Sequence, residues 1–157
     1  FDCVHAPGAV TVIIVPDMPG PRPTPSSGLR RAVAAFLQRR RLLGTRVAVV
    51  GPRYVEVGVR ARVRPLRGVA RVDVRDRIVA ALDEFLHPLR GGPDGAGWPF
   101  GRDVYRAEIM QVIDEVAGVD HVESLDLVPE GCGPQCGNVC LRPTWLTTPG
   151  RHEIEVV

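Results

Sequence analysis

The chain has 157 residues, a length that fits one domain with a core of its own, without disulfide or metal staples. Its 45% hydrophobic and 24% charged residues are ordinary for a folded globular protein. No apolar run is long enough to span a bilayer, and no basic region precedes an apolar stretch as in a signal peptide, so membrane insertion is not expected. The formal net charge of +2 conceals a polarity: residues 22–77 carry 15 Arg against Glu56, Asp73 and Asp76, a balance of +12, whereas residues 78–157 carry five Arg against 13 acids, a balance of −8. Every such base is Arg, with no Lys, which favours bidentate and stacking contacts at interfaces. Charge separation of this kind suits oriented contacts with acidic protein surfaces, with nucleic acid as the rival partner.

In chain order, Ala9 to Val15 is a β-branched run between prolines and reads as a buried strand. Pro16 to Pro25 is a proline-rich connector. Ser26 or Ser27 can cap a helix whose Leu29, Val33, Phe36 and Leu37 share a face. Gly44 ends it, and Thr45 to Val50 is a second strand. After the Gly51-Pro52 turn, Val55, Val57, Val59, Ala61 and Val63 alternate with Glu56, Gly58, Arg60, Arg62 and Arg64. This is the period-2 pattern of a half-buried strand with an apolar and a basic face.

Asp73 can cap a second helix, with Val74, Ile78, Leu82, Phe85 and Leu89 at helical spacing. Five glycines, two prolines, Trp98 and Phe100 then fall within residues 91–101. The two aromatics imply a shaped loop packed on something rather than a flexible linker. Asp103 is the expected cap of a third helix with Tyr105, Ile109, Val112, Ile113 and Val116 as its buried stripe, ended by Gly118. Asp120 to Val128 reads as a strand, residues 129–149 as a Cys/Gly/Pro-rich hairpin extension, and Glu153 to Val157 as a last short strand.

The order predicts an α+β fold: a split β-α-β, ferredoxin-like sheet with helices on one side, an extra helix after the glycine-rich loop, and a C-terminal strand extension. It predicts a domain over residues 1–128 and an extension over 129–157. The Arg60, Arg62 and Arg64 row would lie on the open face of the sheet.

Sites of chemistry are few. Cys132, Cys136 and Cys140, with Cys3, His5, His121 or His152 as a fourth ligand, form a candidate zinc set. Their three-residue spacers and the lack of a second close pair favour small inert residues in a loop, and a disulfide would need an oxidising compartment. The glycine-rich loop follows a helix and ends in Arg102-Asp103, where a phosphate loop has Lys and Ser or Thr. His87 adjoins a helix end, and His121 and His152 fall in or beside edge strands where solvent exposure is the default. Asp83-Glu84 and Asp114-Glu115 lie on polar helix faces, and no nucleophile, base and orienting acid can be grouped by spacing. An enzyme is therefore not expected. Arg30-Arg31, Arg39-Arg40-Arg41 and the Arg60/62/64 row raise nucleic-acid binding, but the basic strand offers Arg and Gly where an RNA-reading sheet presents aromatics, with only Tyr54 nearby.

The run Leu86-His-Pro-Leu-Arg-Gly-Gly-Pro-Asp-Gly-Ala-Gly-Trp-Pro-Phe-Gly-Arg-Asp-Val-Tyr105, followed by Val116-Ala-Gly-Val-Asp-His-Val122, resembles the baseplate J-like family. Those are wedge proteins of contractile phage tails and tail-like injection systems. Pro23-Thr-Pro-Ser-Ser27, Leu42-Leu-Gly-Thr-Arg-Val47 and Pro52-Arg-Tyr-Val-Glu-Val57 extend the similarity to roughly residues 9 to 128. Family members are several times longer, so the resemblance implies a C-terminal region. It also implies a structural role, assembled in the cytoplasm into a baseplate. The implied partners are a second wedge copy or a tail-protein-I-like protein, and a small sheath-initiating wedge protein. Arg60, Arg62, Arg64, Trp98, Phe100 and Arg102 are the expected interface residues. The alternatives are a ferredoxin-like nucleic-acid-binding module and a small zinc-dependent enzyme or zinc-stapled domain.

Overall fold

The computed structural model describes residues 7–130 and 137–157. Cys3, His5, Cys132 and Cys136 lie outside the described residues. The chain forms two compact units, Phe1–Arg53 and Tyr54–Val157.

The first unit is a β-α-β element: strand β1 (Ala9–Ile13), helix α1 (Ser27–Gln38) and strand β2 (Arg46–Val50). β1 and β2 pair in parallel, Ala9 opposite Arg46 through Ile13 opposite Val50, as a two-stranded sheet of their own. The expected cap is present, with Ser26 Oγ accepting from the Leu29 N–H at 3.1 Å. α1 packs against β2 but buries no residue completely; Leu29 and Phe36 on its expected apolar face stay exposed.

The second unit holds strand β3 (Arg53–Pro65, whose first residue belongs to the other unit), helices α2 (Arg71–Phe85) and α3 (Arg106–Asp114), and strands β4 (Val119–Pro129), β5 (Trp145–Pro149) and β6 (Glu153–Val156). β3 is the centre of its sheet. It pairs antiparallel with β4 from Val57 to Pro65, parallel with β6 from Arg60 to Val63, and also neighbours β5. The strands therefore form two sheets rather than the single split β-α-β sheet expected, and residues 145–156 complete the second sheet.

Strict alternation along β3 explains this core. Val55, Val57, Val59, Ala61 and Val63 are all buried, and Leu125 and Leu127 of β4 join the same face through their pairing with Ala61 and Val59. α2 packs on β5 and β6 and α3 on β4, burying Val74, Ile78, Leu82, Ile109 and Ile113. Burial of side chains this large is the main stabilising contribution, about 1.5–3 kcal/mol each. α2 stops at Phe85 rather than running to Leu89, and Tyr105 is exposed at the start of α3 instead of buried in its stripe.

Two caps differ from expectation. Asp73 lies in the first turn of α2, where a carboxylate favours the helix dipole, but Ala70 occupies the cap without a side-chain bond. Asp103 turns away from α3 and accepts from the Leu141 N–H at 2.9 Å; the Arg106 N–H is met by Asn138 Oδ1 at 3.0 Å. A distant segment thus supplies the acceptor that local spacing assigned to Asp103.

The connection from β5 to β6 runs hard against β3, with glycine on each side of the contact at Gly58 and Gly150. Gly150 N–H donates to Val57 O at 3.0 Å, and a Cβ on Gly58 would lie 2.6 Å from the carbonyl oxygen of Arg151. Gly58→Ala should destabilise the protein by about 1–3 kcal/mol, since backbone must move to admit the methyl group. Chemical denaturation checks it; an unchanged midpoint would contradict this close contact.

Candidate assembly surface

The glycine-rich loop is built from its backbone outward. Gly92 N–H reaches back to Phe85 O at 2.8 Å, Gly97 N–H bonds Gly91 O at 2.9 Å, and Trp98 N–H bonds Pro88 O at 2.9 Å. Gly91 must be glycine, because a Cβ there would sit 2.2 Å from Phe85 O. Gly101, at φ +70°, lies against Pro143 and donates to Trp145 O at 3.0 Å, tying the loop to β5.

Trp98 is the anchor that the sequence suggested. It is 3% exposed, meets Phe85 edge to face with ring centroids 5.6 Å apart, and donates from Nε1 to Arg102 O at 2.9 Å. Arg102 packs its guanidinium 5.3 Å from the Trp98 ring and 5.5 Å from the Tyr105 ring, and forks onto both carboxylate oxygens of Glu108. The Glu108 bond raises its already high pKa. Arg102 is therefore a strut within the loop. Phe100 differs: it is 43% exposed at the outer side of the same loop.

The arginine row of β3 is exposed as expected, but each member faces a glutamate of the same chain. Arg60 bonds Glu153 at 2.9 Å, Arg62 forks onto Glu155 at 3.0 and 3.1 Å, and Arg64 forks onto Glu123 at 2.6 and 3.0 Å. Glu123 is held below the usual carboxylate range, chiefly by its hydrogen bonds from Arg64. Such exposed pairs contribute little individually, yet they turn a bare basic face into a ladder of alternating charge. Glu substitutions at Arg60 and Arg62 would set carboxylates opposite Glu153 and Glu155 and loosen β6.

His152 is buried rather than exposed, its side chain 2% accessible. Nδ1 accepts from the Val59 N–H at 3.2 Å, which places the neutral ring's proton on Nε2, 3.3 Å from Asp83 Oδ1 but too poorly aligned to satisfy that nitrogen. Burial pulls the His152 pKa below 6.5, opposed by Asp83. His87 is also buried, and its Nδ1 accepts from the Leu89 N–H at 3.1 Å. His121 is exposed beside Asp120, and Cys140 is exposed. Among the described residues no three His, Cys, Asp or Glu side chains group to hold a metal, and no helix is long and apolar enough to cross a membrane.

Comparison with known proteins yields no matching family model and no matching curated protein. The fold is similar to that of a chain in the cryo-EM structure of the anti-feeding prophage (AFP) baseplate, six-fold symmetrised: TM-score 0.70, 19% identity, 96% of this chain covered. This chain spans 30% of that one.

Two expectations follow from this geometry. Trp98→Ala should cost about 3–5 kcal/mol, whereas Phe100→Ala should stay within about 0.5 kcal/mol; comparable losses in thermal melts would contradict the distinction between anchor and exposed ring. Because the folded His152 pKa lies below its unfolded value, the unfolded chain takes up more protons as the pH drops. The melting temperature should therefore fall as pH decreases from about 6.5 toward the folded pKa, and His152→Gln should flatten that slope. A variant with the wild-type pH dependence would contradict the role of His152.

Proposed function

We propose that this chain is a non-enzymatic structural component of the baseplate of a contractile tail or tail-like injection particle. The similarity to an anti-feeding prophage baseplate chain, over nearly the whole length of this one, carries the reading. The residues support it independently. Arg102, Glu108, Asp103 and the β3 arginines are engaged in bonds that fix shape. Those bonds suit a part that transmits position rather than transforms a substrate.

The finer reading is that the chain is the C-terminal region of a baseplate J-like wedge protein. It would pair with a second wedge copy or a tail-protein-I-like partner, adjoin a small sheath-initiating wedge protein, and rearrange when the particle meets its target so that the sheath is released. In this reading Phe100 is the ring offered to a neighbour. Trp98 and Arg102 hold it outward, and the charge ladder of Arg60, Arg62 and Arg64 with their glutamates forms a mixed-charge contact face.

The test is purification of particles from the native host. The full-length protein should co-purify stoichiometrically with sheath and tube proteins, and deleting its gene should leave no assembled baseplates. Sheathed particles that lack the protein would overturn the reading.

A further inference from the structure

The turn between α1 and β2 spends five interactions on presenting two leucines to solvent. The Arg40 N–H donates to Leu37 O at 3.0 Å, closing the helix end. Its guanidinium donates to Phe36 O at 3.2 Å and lies 3.7 Å from the Phe36 ring centroid. Arg41 donates from Nη1 to Thr45 O, and the Thr45 N–H returns to Leu42 O at 3.1 Å. Gly44, at φ +83°, takes the left-handed position such a turn requires. At its tip Leu42 is 79% exposed and Leu43 fully exposed, with Phe36 half-exposed in the adjoining helical turn. A fixed turn carrying adjacent bare leucines is an unusual use of apolar surface.

The surrounding charge indicates what covers it. Arg22 to Arg53 contains eight arginines and no acidic residue, so the stretch supplies no carboxylate of its own. Nucleic acid would be attracted by the arginines but has no use for the leucines. A bilayer surface would take up a broad apolar helix face rather than two leucines at the tip of a closed turn. An apolar pocket rimmed by carboxylates matches both features, and guanidinium groups held in place suit bidentate contact with that rim.

We propose that Leu42 and Leu43 are a plug by which this chain docks into an acid-rimmed apolar pocket on a different protein of the same particle. The inference rests on the baseplate reading and adds to it the docking element and the chemistry of its partner.

The experiment is co-expression of the complete set of particle proteins with either the wild-type chain or Leu42→Ser/Leu43→Ser. The amount of the chain per sheath protein in purified particles is then measured by quantitative mass spectrometry. Incorporation of the variant should fall at least about tenfold, the loss expected from removing two buried leucine contacts, while its melting temperature matches that of the wild type. Photo-leucine at position 43 should crosslink to an Asp- and Glu-rich segment of another particle protein. Wild-type incorporation of the double variant would overturn the proposal. So would a markedly lower melting temperature, which would place the leucines in the chain's own core, or crosslinking to phospholipid, nucleic acid or another copy of this chain. Absence of the wild-type chain from particles would instead overturn the baseplate reading itself.

Discussion

The alternation of β3 is the constraint on which the second unit depends. A strand that places valine on one face and arginine on the other can satisfy both only if helices cover the first and water or counter-charge meets the second. α2 and α3 meet the first demand through Val74, Ile78, Leu82, Ile109 and Ile113. β6 and β4 meet the second through Glu153, Glu155 and Glu123. Both edges of β3 are occupied from Arg60 to Val63, so its backbone groups are paired by the same neighbours that supply the glutamates.

Connections in this unit are shaped where they cross or leave the sheet. The β5–β6 link lies close against β3 at the Gly58 and Gly150 contact, with His152 buried between the Val59 N–H and Asp83. The long α2–α3 loop is folded back by its own amides and pinned by Trp98, while Phe100 on the same loop stays exposed. In the proposed baseplate role, a ring on such a fixed loop would lose less entropy on docking.

Much of this was legible in the sequence. The period-2 run of Val55 to Arg64, the helical stripes of α2 and α3, and the anchoring use of Trp98 follow from spacing and from the cost of exposing an indole. Sheet membership did not follow, because β1 and β2 read locally like any other strands, and their exclusion from the β3 sheet depends on tertiary pairing. β5 was missed within a Gly/Pro-rich stretch, although Trp145-Leu-Thr-Thr148 has the aromatic and β-branched residues of a strand. The glutamate partners of Arg60 and Arg62 were hidden for a related reason: they become neighbours only through the register of β6, some 93 residues away. The cap of α3 and the burial of His152 likewise depend on distant segments.

Amide hydrogen exchange followed by NMR tests the central claim most directly. If β3 organises the second unit, the amides of Arg60 to Val63 should be among the slowest to exchange, opening only with global unfolding, while those of the exposed connector at residues 17–20 exchange quickly. Equally fast exchange at Arg60 to Val63 and in the connector would contradict the account.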